Sequence, residues 1–237
     1  MFITKRNKFA RMFVNGGLKI PDKILKRETF AAAKDFSAPS ILDLRGYCTP
    51  VENQGNLPYC AAYAATSFAE NILWRKNHFH EEIDPLPIYK YAKSIDGDPT
   101  GAGTFLECAM EGLFKYKYFN PDICKIKLFG GNPFNNGNAI RDMKFAIHQY
   151  GICMAGFAIT SEWYSPNSKN MVTGIKGATG QGGHAVVVCG YNDELKAFLI
   201  MNSWGTSYAE KGFVWVSYDA FLEQFIYAST MTHCLDD

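Results

Sequence analysis

No apolar run in this 237-residue chain approaches the eighteen or so residues that a membrane-spanning helix needs, so no span is expected. Charge of one sign is not in excess either. With 24 Lys and Arg against 23 Asp and Glu, the net charge of +1 gives the whole chain no electrostatic reason to seek nucleic acid. Internal repeats and low-complexity segments are missing, and the cysteines and histidines show no zinc spacing. Asp96-Gly97-Asp98 lacks the further ligands of a calcium loop. Gly177–Gly183 has neither the Lys-Ser/Thr of a phosphate loop nor a Gly-x-Gly-x-x-Gly pattern, and reads as a mobile loop ahead of His184. No metal and no cofactor are expected. Lys115-Tyr116-Lys117-Tyr118-Phe119 interleaves basic and aromatic residues, but the end of an amphipathic helix explains it better than a nucleic-acid patch.

What is present is unevenly distributed. Residues 1–35 hold nine Lys and Arg against three acids, a balance of +6, whereas the remainder carries 15 basic and 20 acidic residues, a balance of −5. The first nineteen residues contain no acid and lack the unbroken apolar stretch of a secretory signal. They fit either a basic surface segment or an organelle-targeting one. Seven cysteines are an odd number, and without a recognisable signal they suggest reduced thiols in a reducing, cytoplasm-like compartment. Cys153 and Cys189 lie in apolar runs and are expected to be buried packing residues.

Residues 1–38 form a poorly patterned leader, with a short helix expected around Asp22–Lys34, and the body is expected to run over 39–237. In it, Ala61, Ala64, Ala65, Phe68 and Ile72 make one apolar stripe, predicting a buried helix from about Cys60 to Lys76. Thr104-Phe105-Leu106-Glu107 has a capping-box pattern and predicts a second helix with Leu106, Ala109, Met110 and Leu113 inward. Asn138 as cap and Gly151 as stop predict a third over Ala139–Tyr150. Beyond it, Ile152–Ile159, His184–Tyr191, Ala197–Asn202 and Gly212–Ser217 read as strands, with Asn192-Asp193-Glu194 as a hairpin connection. The order predicts an α+β, two-lobed fold, helix-rich over about 40–138 and strand-rich over about 139–237, with a site between the lobes.

Four residues carry chemistry. Cys60 falls at the start of the alanine-rich helix, where unpaired N–H groups favour a thiolate over the thiol's ordinary pKa of about 8.5. His184 opens a strand in Gly183-His184-Ala185 and supplies an imidazole to pair with that thiolate, then to act as acid and base. Asn202, eighteen residues on in Asn202-Ser203-Trp204-Gly205, can hold the second ring nitrogen, and Trp204 can cover that contact. Gln54, six residues before Cys60, offers a side-chain N–H which, with the Cys60 backbone N–H, makes an oxyanion hole. Each residue alone has a bland structural explanation; the joint occurrence predicts a cysteine-nucleophile acyl-transfer site.

On these motifs the chain resembles the papain-like cysteine peptidases over roughly Ser40 to Ser217. Leu42-Asp43-Leu44-Arg45 is similar to that family's Asp-Trp-Arg entry, and Pro50–Gly55 to its Pro-Val-x-Asn-Gln-Gly segment. The resemblance implies nucleophile Cys60, oxyanion donor Gln54, His184 and Asn202, in a fold with a helical left lobe and a β-barrel-like right lobe flanking a cleft. It implies an endopeptidase acting on proteins or peptides, with Gly101-Ala102-Gly103 as the edge that pairs with the substrate backbone. The small residues Ala155, Gly156 and Ala185 are expected to wall a roomy apolar P2 pocket, and Trp204 is counted among the substrate-binding residues. There are departures. Leu57 stands where the family has a half-cystine, Ala61 where it has a tryptophan, and Tyr208-Ala209 where it has Trp-Gly. The short leader resembles bacterial-type or atypical members, and is expected to dock on the body and occlude the cleft like a zymogen's propeptide. The alternatives are an acyl-transfer relative, a transglutaminase or glutamine deamidase, and a silenced binding module.

Overall fold

The computed structural model describes residues 18, 32, 35–78, 80–130, 138–174 and 178–234. The helix expected around Asp22–Lys34 lies outside the described residues, Ala32 excepted.

After strand β1 (Ile41–Asp43) and a single 3-10 turn, helix α1 runs from Cys60 to Asn77, as its alanine stripe predicts. Ala61, Ala65, Phe68 and Ile72 are fully buried, and the small side chains let the helix lie close across the sheet. Burying Phe68 and Ile72 contributes about 2 kcal/mol each. Helix α2 (Pro85–Ile95) was not legible as a helix, yet its start is well formed: Asp84 accepts the Leu86 N–H at 2.9 Å, and Pro85 takes the first position, where no N–H is needed. Helix α3 spans Leu106–Lys115. The expected capping box is not used there. Phe105 is the N-cap without a side-chain bond; the Tyr227 hydroxyl instead accepts the Leu106 N–H at 2.8 Å and donates to Glu107 Oε2 at 3.2 Å. Strand β2 (Lys125–Gly130) follows, then α4 (Ala139–Tyr150), which stops at Gly151 with φ +91° as expected. Asn138 precedes α4, but its side chain makes no cap bond.

The remaining elements are β3 (Cys153–Thr160), β4 (Met171–Val172), β5 (Gly180–Asn192), β6 (Ala197–Met201), β7 (Phe213–Ser217), α5 (Tyr218–Gln224) and β8 (Phe225–Thr232). They join one sheet in the order β2-β8-β3-β5-β6-β7-β4, with β1 also paired to β5. All pairs are antiparallel except β4 with β7. Gly180–Gly183, expected to be loop, are the first residues of β5. Glycine fits there because a Cβ on Gly183 would meet Leu18 backbone at 2.8 Å. This fold sets α1, whose first residue is Cys60, against β5, which carries His184.

Candidate active site

The loop after β6 and the strand-like segment before α1 pair with one another. Asn53 bridges Trp204, the Gln54 N–H donates to the Ser203 carbonyl at 2.8 Å, and the Gly205 N–H donates to the Glu52 carbonyl at 2.9 Å. This local ladder brings Gln54, which is far from Asn202 in sequence, into the same site.

His184 Nε2 lies 2.8 Å from Asn202 Oδ1, and both residues are buried. Since a carbonyl oxygen only accepts, Nε2 carries the hydrogen and Nδ1 is the free base of the ring. The Ser203 N–H donates to the same Oδ1 at 2.8 Å, which fixes the amide from a second direction. Trp204 stacks on the imidazole, 4.9 Å between centroids and 26° between planes, and Trp163 meets the ring edge-on at 6.3 Å. The expected cover over the His–Asn contact is therefore present. Beyond it the exposed Tyr164 stacks flat on Trp204 at 5.1 Å. Tyr208, where the resemblance leads one to expect tryptophan, donates to the Trp163 carbonyl at 2.7 Å with its hydroxyl also against Asn202.

Cys60 is the first residue of α1, and its sulfur is hydrogen-bonded by the backbone of Ala185, Ala61 and Cys60 itself. The helix start thus does what the sequence suggests. Burial pushes the thiol up to about 11 against these N–H groups, and burial takes His184 down to about 4 although its bond to Asn202 favours the charged ring. Between those values the pair is thiol and neutral imidazole.

Gln54 is held from both ends. Ser203 Oγ donates to its Oε1 at 2.6 Å, and its Nε2 donates one hydrogen to the Leu57 carbonyl at 2.8 Å. The amide nitrogen has a second hydrogen to offer. Ser203 was not singled out in the sequence, because a serine in a turn-like tetrapeptide carries no periodic signal.

The substrate-side residues separate into two groups. Leu18 is almost fully buried, its backbone forms a parallel bridge with Thr104, and its side chain fills the space over Gly156, where a Cβ would lie 2.3 Å from Leu18 Cδ2. Gly156 pairs with Ala185, so these two share the face that Leu18 covers, and Gly101 and Gly103 shape the edge just before Thr104. Ala155 does not belong to this wall. It pairs with Val186 and, as the neighbour of Gly156 on a strand, points to the opposite face.

A second cluster lies behind the site. Glu52 and Glu70 face one another beneath a cavity of about 440 Å³ lined by Glu52, Asn53, Tyr63, Glu82, Ile83, Asp84 and Pro85. Burial, then the charges of Glu70 and Glu82, push the Glu52 carboxyl up to about 8. Such a group binds its proton more tightly folded than unfolded. Its contribution to stability is full below about pH 4.5 and is lost as pH rises through about 8. We therefore expect Glu52→Gln to raise Tm by roughly 3–6 °C at about pH 8.5 and by much less near pH 5. Thermal melts of both proteins at the two pH values check this; an equal change at both would refute it.

Among the described residues no group of three or more His, Cys, Asp or Glu could hold a metal ion, and no helix is long and apolar enough to cross a membrane. All seven cysteines are free.

Known cysteine proteases resemble this chain in sequence and in fold. The family model described as papain family cysteine protease matches residues 109–231, a span that contains His184 and Asn202 and begins after Cys60. Cathepsin K of Gallus gallus is 24% identical over 220 residues, covering 84% of this chain and 65% of that protein. Cathepsin B-like cysteine proteinase 3 of Caenorhabditis elegans is 26% identical over 129 residues, 53% of this chain and 33% of the relative. The chain thus spans from about a third to just under two thirds of these two relatives' length. In fold, it is similar to xylellain, a cysteine protease from Xylella fastidiosa, with a TM-score of 0.68 at 20% identity over 92% of this chain and 94% of the other. ProCathepsin B from Trypanosoma congolense gives a TM-score of 0.64 at 14% identity, covering 96% and 88%.

Proposed function

This chain belongs to the papain family of cysteine proteases, and from that membership we propose that it is a cysteine endopeptidase acting on proteins or peptides. The observation that carries the reading is the His184–Asn202 bond at 2.8 Å on the strand whose next residue, Ala185, hydrogen-bonds the Cys60 sulfur. In this reading Cys60 attacks the scissile carbonyl as its thiol proton passes to His184. The oxyanion that forms is held by the Cys60 N–H and the second Gln54 side-chain N–H. His184, kept upright by Asn202, then protonates the departing amine, leaving an acyl-enzyme on Cys60. A water activated by the same imidazole hydrolyses the thioester and returns the thiol. Ser203 acts one step back, by fixing the Gln54 amide.

We further propose that the leader is an intramolecular inhibitor. Leu18 lies across the edge at Thr104 and over Gly156 and Gly183, where the side chain of a bound peptide belongs in this reading. The chain is then tied down on α4: the Ala32 N–H donates to Asp142 at 2.9 Å, and Phe36 packs edge-on against Phe145 at 4.8 Å. The free thiols fit work in a reducing compartment.

The test is digestion of a peptide mixture followed by mass spectrometry. The proposal expects backbone cleavage with a bulky apolar residue at P2, because the site that takes Leu18 is walled by Gly156, Gly183 and Ala185. Intact peptides whose glutamines have become glutamates would instead favour a deamidase. Cleavage with an acidic preference at P2, or none, would contradict the assignment of that pocket.

A further inference from the structure

We infer that Lys93 and Asp96 are positioning residues for substrate binding, fixing the edge against which a peptide backbone pairs; this rests on the peptidase reading above. Lys93 is in the last turn of α2 and is buried, an unusual place for a lysine. Its ammonium donates to Asp96 Oδ2 at 2.7 Å and to the Gly103 carbonyl at 3.0 Å. The other oxygen of Asp96 accepts the Asp98 N–H at 2.9 Å, and Asp98 Oδ1 in turn accepts the Gly101 N–H at 2.9 Å. Both ends of the Gly101–Gly103 turn are therefore tied to one buried ion pair: Gly101 through Asp98, Gly103 through Lys93.

The consequence follows from peptide geometry. The Gly103 carbonyl and the Thr104 N–H lie in one rigid plane. Gly103 has φ +70°, a conformation that glycine alone adopts readily and that leaves this plane free to turn. The bond from Lys93 stops it. Thr104 is the residue that bridges Leu18, so the plane held by Lys93 is the one that orients the edge towards a partner backbone. With every cysteine reduced, no disulfide performs this task. Burial works to raise the Asp96 carboxyl, but the bonds from Lys93 and the Asp98 N–H outweigh it and hold the carboxyl below its ordinary value, so the pair stays ionised.

The experiment compares two reagents on Cys60 of the full-length chain, with the adduct located by peptide mass spectrometry. Iodoacetamide needs only the thiol; an epoxysuccinyl peptide with leucine at P2 also needs the edge. Both require the leader to open, so the ratio of their rates cancels that step. We expect Lys93→Met to lower this ratio about 10-fold or more, Asp96→Asn to lower it less, and Lys93→Arg to recover most of it, since a guanidinium can donate to both partners. An unchanged ratio in folded Lys93→Met overturns the inference. If that variant does not fold, Asp96→Asn and Lys93→Arg decide on the same criterion. A wild-type chain alkylated at Cys60 by iodoacetamide but not by the peptide reagent refutes the peptidase reading itself, a result distinct from failure of the clamp.

Discussion

Cys60→Ala is expected to abolish peptide hydrolysis, lowering kcat by at least about 10⁴-fold, and His184→Ala to do nearly the same. The two losses should not add, because nucleophile and base act in one covalent step: the double variant is expected to be no worse than either single one. Both side chains are buried, so stability must be followed alongside. Replacing sulfur by hydrogen at the first residue of α1 leaves a small void and removes no backbone bond, so Cys60→Ala should melt within a few degrees of the wild type. Gln54→Ala belongs to the same series but at a lower level, roughly 10²-fold in kcat with a smaller change in KM. The oxyanion it stabilises exists only along the reaction path. Steady-state kinetics on one fluorogenic peptide measure all four. Near-wild-type turnover by Cys60→Ala would remove the basis of the mechanism, and a change confined to KM for Gln54→Ala would reduce that residue to a binding role.

Deleting residues 1–38 is expected to raise kcat/KM by about 10²-fold. Burial of one leucine side chain contributes about 2 kcal/mol and a backbone pairing about 1 kcal/mol, so Leu18 on the Thr104 edge favours the covered state by about 10². The gain should be reversed by adding the leader as a peptide. It should shrink as salt rises, since a leader of +6 meets a body of −5. Leu18→Ala in the full-length chain should recover about a tenth of the gain. A consequence for thiol reactivity accompanies the one for turnover. In the covered state burial keeps Cys60 a thiol up to about pH 11, so alkylation of the full-length chain should still be rising with pH well above neutrality. Once the site is opened to water the same N–H groups at the helix start act without that opposition, and the rise should move to lower pH. Equal alkylation profiles for the two forms at low salt would show that Leu18 does not govern access.

Much of this site was legible because its residues sit on regular elements. The alanine stripe from Ala61 to Ile72 announced α1 and therefore placed Cys60 at a helix start, and the apolar run after His184 announced β5. Gly156 and Ala185 share the face that Leu18 covers, whereas Ala155 lies on the other: small size says nothing about which face of a strand a residue occupies, and only the register with Val186 decides it. Helix α2 was missed because Pro85-Leu86-Pro87 resembles a loop until Asp84 is seen capping it. Lys93 gave no signal for the same reason: its contact with Gly103 is one that no spacing reveals. The burial that works against a thiolate at Cys60 was hidden on a different count. Helix-start N–H groups can be read from sequence, but the burial that opposes them comes from the fold.

The central claim is that Cys60 is an activated nucleophile in a peptide-binding cleft. The most direct measurement is mass spectrometry of the chain lacking residues 1–38 after reaction with a sub-stoichiometric epoxysuccinyl peptide carrying leucine at P2. The account predicts a single adduct, on Cys60, that forms much more slowly in His184→Ala and not at all in Cys60→Ala. Modification spread over the partly exposed Cys48 and Cys108, or none on Cys60 while iodoacetamide still alkylates it, would contradict the account.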